Sequence, residues 1–129
     1  MTYVAKITSN GELTIGGGQF RVAKDVLEAA ISEFKAKVAN QNILGHLHRS
    51  DCGEVGPIGF SHKVVSTFCR DGEAFAVIEP INTPDGNELD RMMKDCKEIA
   101  ENNDRYEFAA KGFMDHGELS LTSIDVIKK

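Results

Sequence analysis

The chain has 129 residues, a formal net charge of −5 and 41% hydrophobic residues, which are values typical of one globular domain. Its acidity and its lack of a lysine and arginine cluster argue against binding to nucleic acid, because such binding gains free energy by neutralising phosphates. No apolar run is long enough to cross a bilayer and the N-terminus lacks a signal-peptide pattern, so we expect no membrane partner and a cytoplasmic location. Cys52, Cys69 and Cys96 are an odd number without CxxC spacing, which predicts reduced thiols.

The first elements are short strands. Residues 2–8 alternate with Tyr3, Ala5 and Ile7 on one face, and residues 13–15 follow across the turn at 9–11, which predicts a hairpin. The glycine run at 16–18 lacks the residues that complete a phosphate-binding loop, so it is interpreted as a flexible connector.

Two helices are predicted. In residues 21–40 apolar side chains recur at steps of three and four, with charged residues between them, which indicates an amphipathic helix lying on a core. The second helix begins at Thr83-Pro84, where threonine can cap the helix and proline fits its first turn. Its predicted apolar stripe consists of Leu89, Met92, Met93, Cys96 and Ile99.

The remaining apolar segments predict strands. Residues 60–69 and 74–81 form a hairpin across Asp71-Gly72, and residues 106–114 and 119–127 form another across His116-Gly117. Residues 42–48 are a further apolar segment, followed by a polar surface loop at 49–56. The prediction is one α+β, mainly β domain over residues 1–129, a small antiparallel barrel or curled sheet of about seven strands with two flanking helices.

A metal site is one candidate for chemistry. His46, His48 and Cys52 have the spacing HxHx3C, and two histidines two residues apart on a strand project to the same face. His62 and His116 could complete the ligand set. The alternative, which we favour, is a pair of surface histidines at a strand end without metal or cofactor.

Nucleophilic catalysis is a second candidate. Ser61 precedes His62, but neighbouring residues of a regular strand point to opposite faces, so we expect this pair not to hydrogen-bond. Asp125 is more unusual, because it lies among apolar residues of a strand and a carboxylate there needs a partner. It is interpreted as an orienting acid or a buried hydrogen-bond anchor.

The order of these segments over residues 19–127 resembles that of the head-maturation (prohead) serine proteases of tailed phages, whose fold is related to the herpesvirus capsid proteases. The segment LGHLHRS at 44–50 resembles the Leu-Gly-Glu-Leu-x-His-Pro motif of that family. Residues 86–89 resemble its Gly-x-x-Leu helix start, and Asp125-Val126 resembles the Asp-Val or Asp-Ala pair of its last strand. The resemblance implies a prohead-protease-like fold.

The departures from that family fall on the catalytic residues. Aligning Leu44-Gly45 places Arg49 where the catalytic histidine is expected, with His48 one residue early. Aligning Lys111-Gly112 on the family's Arg-Gly places Ala109 and Ala110 on its serine pair. Asp125 keeps the third position. A serine protease needs its nucleophile and its base together, so no catalytic residue is expected. The resemblance implies that the following are vestigial site positions: His48, Arg49, Ala109, Ala110 and Asp125.

The resemblance therefore implies a non-catalytic phage head protein, a decoration, accessory or minor capsid protein that binds the capsid lattice. Its expected partners are the major capsid protein or other head proteins and further copies of itself. It would be made in the host cytoplasm and then reside in the virion. The alternative is a prohead protease, active or inactivated by a serine-to-alanine change, with His48 or His62 as its base, Asp125 as its orienting acid and Ala109 or Ala110 marking its nucleophile.

Overall fold

Within the residues that the structure describes, alternating apolar residues and tight turns produce one sheet of ten strands, with two helices. The computed structural model describes residues 1–15, 18–49, 59–96 and 98–129. The strands are β1 (Tyr3–Lys6), β2 (Thr8–Ser9), β3 (Glu12–Ile15), β4 (Gly18–Arg21), β5 (Ile43–Arg49), β6 (Phe60–Arg70), β7 (Glu73–Pro80), β8 (Ile99–Ala100), β9 (Tyr106–Asp115) and β10 (Glu118–Lys128). The helices are α1 (Lys24–Asn40) and α2 (Pro84–Met93).

Three hairpins are closed by two-residue turns whose central residues both have positive φ. These are Asn10-Gly11, Asp71-Gly72 and His116-Gly117, and they join β2 to β3, β6 to β7 and β9 to β10. A positive φ at both central positions is the geometry that matches the twist of paired strands. The two later hairpins predicted from the sequence are confirmed. The first is confirmed only at its turn, where Thr8 and Ser9 pair with β3, because residues 3–6 pair with β7 and β8 instead.

The sheet is mixed rather than antiparallel, which corrects the sequence prediction. Its order is β2-β3-β9-β10-β5-β6-β7-β1-β8, with β4 paired to β3. β5 runs parallel to β10, β3 to β9, and β1 to β8. The strand order is open, so the sheet is not a closed barrel. Ile7 alone separates β1 from β2. Because these two strands are far apart in the strand order, so short a link makes the sheet curl.

Helix α1 buries the predicted apolar stripe against the sheet. Leu27, Ala30, Ile31, Phe34 and Val38 are buried, and the helix packs on β6 and β10. It begins at Lys24 rather than at residue 21, because residues up to Arg21 belong to β4.

Helix α2 is shorter than predicted. It begins as expected with Thr83 as its cap and Pro84 in its first turn, but ends at Met93. Cys96 lies after the helix and Ile99 is in β8, paired with Val4 of β1. The apolar periodicity therefore continued past the helix end because the next strand supplies a further apolar residue.

The described cysteines, Cys69 and Cys96, are free thiols, as predicted. Cys52 lies outside the described residues, and so does the predicted polar loop from residue 50 onward. Gly16 and Gly17 are also outside them, whereas Gly18 starts a strand. No helix in the described part of the chain is long and apolar enough to cross a membrane.

Candidate functional site

The carboxylate of Asp125 is the centre of the candidate site. The residue is buried, with 3% of its surface exposed, and it lies on β10 between β9 and β5. The main-chain N–H of His46 donates to Oδ1 at 3.0 Å, and the ring of His48 contacts Oδ2 at 2.8 Å. A buried carboxylate requires such partners, so the prediction that Asp125 is anchored by hydrogen bonds is confirmed.

Two histidines of β5 reach this carboxylate from one side of the sheet. They are two residues apart on the strand, which is the spacing that places both side chains on one face. Since a carboxylate oxygen only accepts, Nε2 of His48 carries the proton that it donates to Asp125. The ring of His46 stacks on Phe60, with centroids 4.7 Å apart, and this contact holds it beside the carboxylate.

A lysine completes the cluster. The Nζ atom of Lys111 lies 3.3 Å from Oδ2 of Asp125 and 3.2 Å from Nδ1 of His46. The ammonium balances the carboxylate charge, and because it can only donate, Nδ1 of His46 is the acceptor. The sequence analysis did not identify Lys111 as a partner of Asp125. The sequence signal for this contact was that Lys111 comes two residues after Ala109, because residues two apart on a strand share a face.

The structure separates the two alanines of β9. Ala110 is buried in the hydrophobic core, on the opposite face of its strand from Ala109. Ala109 pairs directly with Asp125 across the antiparallel β9–β10 ladder, and directly opposed residues project from the same side of a sheet. A nucleophile facing this cluster would therefore occupy position 109.

The prediction that Ser61 and His62 do not hydrogen-bond was wrong. Both are fully buried, and Ser61 Oγ lies 2.7 Å from Nδ1 of His62. The register between β5 and β6 pairs Gly45 with His62 but His46 with Phe60, so Ser61 is the extra residue of a β-bulge. A bulge interrupts alternation, and here it turns two consecutive side chains inward.

The buried histidine has a structural role. Nε2 of His62 donates to the carbonyl of Ile124 at 2.7 Å, so Nδ1 accepts from Ser61. Burial lowers the pKa of His62, which favours the neutral ring that this arrangement uses. A fully buried serine and histidine are closed to a substrate, so this pair links β6 to β10 inside the fold.

The pKa of His46 is also lowered, mainly by burial and then by the neighbouring Lys111 ammonium, against the opposing influence of Asp125. At neutral pH this histidine is therefore an uncharged ring with its Nδ1 lone pair directed into the cluster. A neutral imidazole can accept a proton or bind a metal ion.

Two other predicted site residues that the structure describes do not join the cluster. His62 lies in the core, and His116 is exposed at the β9–β10 turn beside Asp115. Cys52 is outside the described residues. Arg49 ends β5, and its side chain is also outside the described part of the chain.

Comparisons with known proteins add no relative. No protein-family model matches the chain, and searches of curated proteins and of solved structures find no significant match.

Proposed function

We propose that this chain is a non-catalytic head protein of a tailed phage, built on a prohead-protease-like domain and binding the capsid lattice. The observation that supports the proposal most strongly is the hydrogen bond between His48 and Asp125 beside Ala109. A base and its orienting acid are in contact, while the residue opposite the acid is alanine. A methyl group cannot attack a peptide bond, so covalent catalysis has no nucleophile there.

The position of His48 strengthens the resemblance on which the proposal rests. The sequence alignment put the family's histidine at Arg49 and left His48 one residue early. In the fold, His48 contacts Asp125, so we propose His48, rather than Arg49, as the counterpart of that histidine.

The proposed role requires contacts with the major capsid protein and among copies of this chain. In the described part of the chain, β4 and β8 each pair with a single strand. Edge strands of this kind expose main-chain donors and acceptors that can pair with another chain. We propose that the lattice contacts are made by edges and loops. The resemblance, rather than the sheet edges, supports a location in the host cytoplasm during assembly and in the virion afterwards.

The test is the copy number of this chain in purified, DNA-filled particles, measured by quantitative mass spectrometry against the major capsid protein. The expected result is intact protein in a fixed ratio, with many copies in each head. Absence of the chain, or recovery of fragments alone, contradicts a structural role in the finished head.

A second candidate is a prohead protease inactivated by a serine-to-alanine change, and the retained contact between His48 and Asp125 favours it. If a serine was lost from a competent site, Ala109→Ser should restore labelling by a serine-reactive fluorophosphonate probe. The matched control is the double variant with His48→Gln, which should lose that labelling because the base is gone. Labelling of the unmodified chain would reject the non-catalytic proposal; an unlabelled Ala109→Ser variant would reject this second candidate.

A further inference from the structure

We propose that His46, His48 and Asp125 bind a divalent transition-metal ion of the zinc type. One ligand atom from each residue lies within 4.8 Å of the other two. Two imidazole nitrogens and a carboxylate oxygen form a three-ligand set that zinc accepts while keeping a fourth position open. The inference goes beyond the proposed function, because it needs neither a nucleophile nor a capsid.

The distances suit an ion after small side-chain movements. Ligand atoms around tetrahedral zinc are separated by about 3.3 Å, given zinc–nitrogen distances of about 2.0–2.1 Å. In the cluster, Oδ2 of Asp125 lies 2.8 Å from Nε2 of His48, and one ligand atom from each of the three residues lies within 4.8 Å of the other two. The first distance is below the required separation, and the second, which is an upper limit, is above it. A bound ion would replace the Nε2 proton of His48, which would move to Nδ1 of the same ring.

Groups around the three ligands already fix their orientation. The main-chain N–H of His46 holds the Asp125 carboxylate, and Phe60 stacks on the His46 ring. Such outer contacts orient ligands and increase metal affinity. Asp125 is buried, and the side chain of His48 is 36% exposed, so an ion can reach the cluster from solvent.

Lys111 competes with the ion. Its ammonium lies beside both Asp125 and His46, and a positive charge at that distance opposes a divalent cation. The side chain of Lys111 is 44% exposed, so it can turn into water when an ion binds. We therefore infer that Lys111 lowers the affinity of the site without blocking it.

The experiment is calorimetric titration of the full chain with Zn²⁺ near pH 7.5, together with Co²⁺ titration followed by visible absorption. We expect one ion per chain, with nitrogen and oxygen ligation. His48→Gln should weaken binding by at least about tenfold, and Lys111→Ala should strengthen it by about tenfold or more. His116→Gln, which changes an exposed histidine outside the cluster, should leave the affinity unchanged.

Asp125→Asn replaces the carboxylate ligand by a buried amide that lacks the charge its partners stabilise, so we expect the variant to lose stability as well as metal. The partly exposed ligand His48 and the exposed competitor Lys111 therefore provide the decisive variants. If the unmodified chain does not bind one ion per chain, the proposal is overturned, whatever the Lys111 variant does. Thiolate-to-cobalt charge-transfer absorption would also overturn it, because the ion would then be held by a cysteine. Loss of binding in His116→Gln would assign the ion to the β9–β10 turn.

Discussion

At the residue scale, the absence of a side chain at Gly45 permits the hydrogen bond between His62 of β6 and Ile124 of β10. A Cβ atom at Gly45 would lie 2.2 Å from Nε2 of His62 and 2.3 Å from the carbonyl oxygen of Ile124. Those two atoms form the hydrogen bond that crosses over this glycine. The need for glycine at position 45 is therefore a requirement of space, and it gives the Leu-Gly pair at 44–45 a physical meaning independent of any family.

We predict that Gly45→Ala destabilises the fold by about 2–4 kcal/mol, because the new methyl group must displace His62 and break a buried hydrogen bond. The free energy of unfolding in urea, measured by far-UV circular dichroism, tests this prediction. Gly59→Ala is the matched control, since a Cβ there meets its nearest neighbour at 3.8 Å. A loss in Gly45→Ala no larger than in the control would show that the His62 contact is not needed for stability.

The same residues show where sequence reasoning at this scale succeeded and failed. The need of Asp125 for partners followed from its charge among apolar neighbours, and the shared face of His46 and His48 followed from strand alternation. The Ser61–His62 contact was missed, because alternation holds only in a regular strand. A bulge has no clear signature in a single sequence, so the inward turn of both side chains became visible only in the fold.

At the element scale, Thr83 joins a helix to a strand as well as capping the helix. Its Oγ1 accepts from the main-chain N–H of Gly86 at 2.9 Å and donates to the carbonyl of Phe60 at 2.7 Å. Phe60 in turn stacks on His46. The start of α2 is thus tied to the part of β6 that supports the histidine cluster.

We predict that Thr83→Ala costs about 1–2 kcal/mol, because it removes the cap and the bond to Phe60 together. Thr83→Ser keeps the hydroxyl and should cost less than about 0.5 kcal/mol. Thermal and urea unfolding of both variants measure the difference. Equal losses in the two variants would mean that the threonine methyl group, rather than the hydroxyl, provides the stabilisation.

Element prediction was accurate where a cap, a turn or a long periodic pattern marked the boundary. Thr83-Pro84 marked the start of α2, and the hairpin turns marked three strand pairs. The short strands β4 and β8 were missed. Three of the four β4 residues are exposed, so it carries no apolar alternation, and β8 has two residues, too few for any periodic signal. Both exist because neighbouring strands offer main-chain partners, which is tertiary information.

At the scale of the whole molecule, strand orientation could not be read from the sequence. The antiparallel hairpins were predictable, because tight turns impose that orientation. The parallel pairs β5–β10 and β3–β9 join segments far apart in the chain, and no local pattern records that they are neighbours. The candidate site depends on one of them, since the β5–β10 pair brings the histidines to Asp125.

The arrangement predicts that all parts of the sheet unfold together. Tyr3 of β1 and Tyr106 of β9 lie far apart in the strand order, yet both are 5% exposed and belong to one hydrophobic core. Small single domains with one core generally unfold in a single transition. Each tyrosine can report on its own region, because the chain contains two tyrosines and no tryptophan.

We therefore predict coincident urea midpoints for tyrosine fluorescence and far-UV circular dichroism in two variants, Tyr3→Phe and Tyr106→Phe, each of which keeps one tyrosine. The comparison is made within each variant, because Tyr3→Phe also removes a 2.7 Å hydrogen bond to Asp90 and should lower its own midpoint. Coincidence in both means that the β1 and β9 regions form one cooperative unit. If one tyrosine reports a separate transition, the curled sheet consists of two parts that unfold independently, and the β5–β10 pair that assembles the site would then join two units.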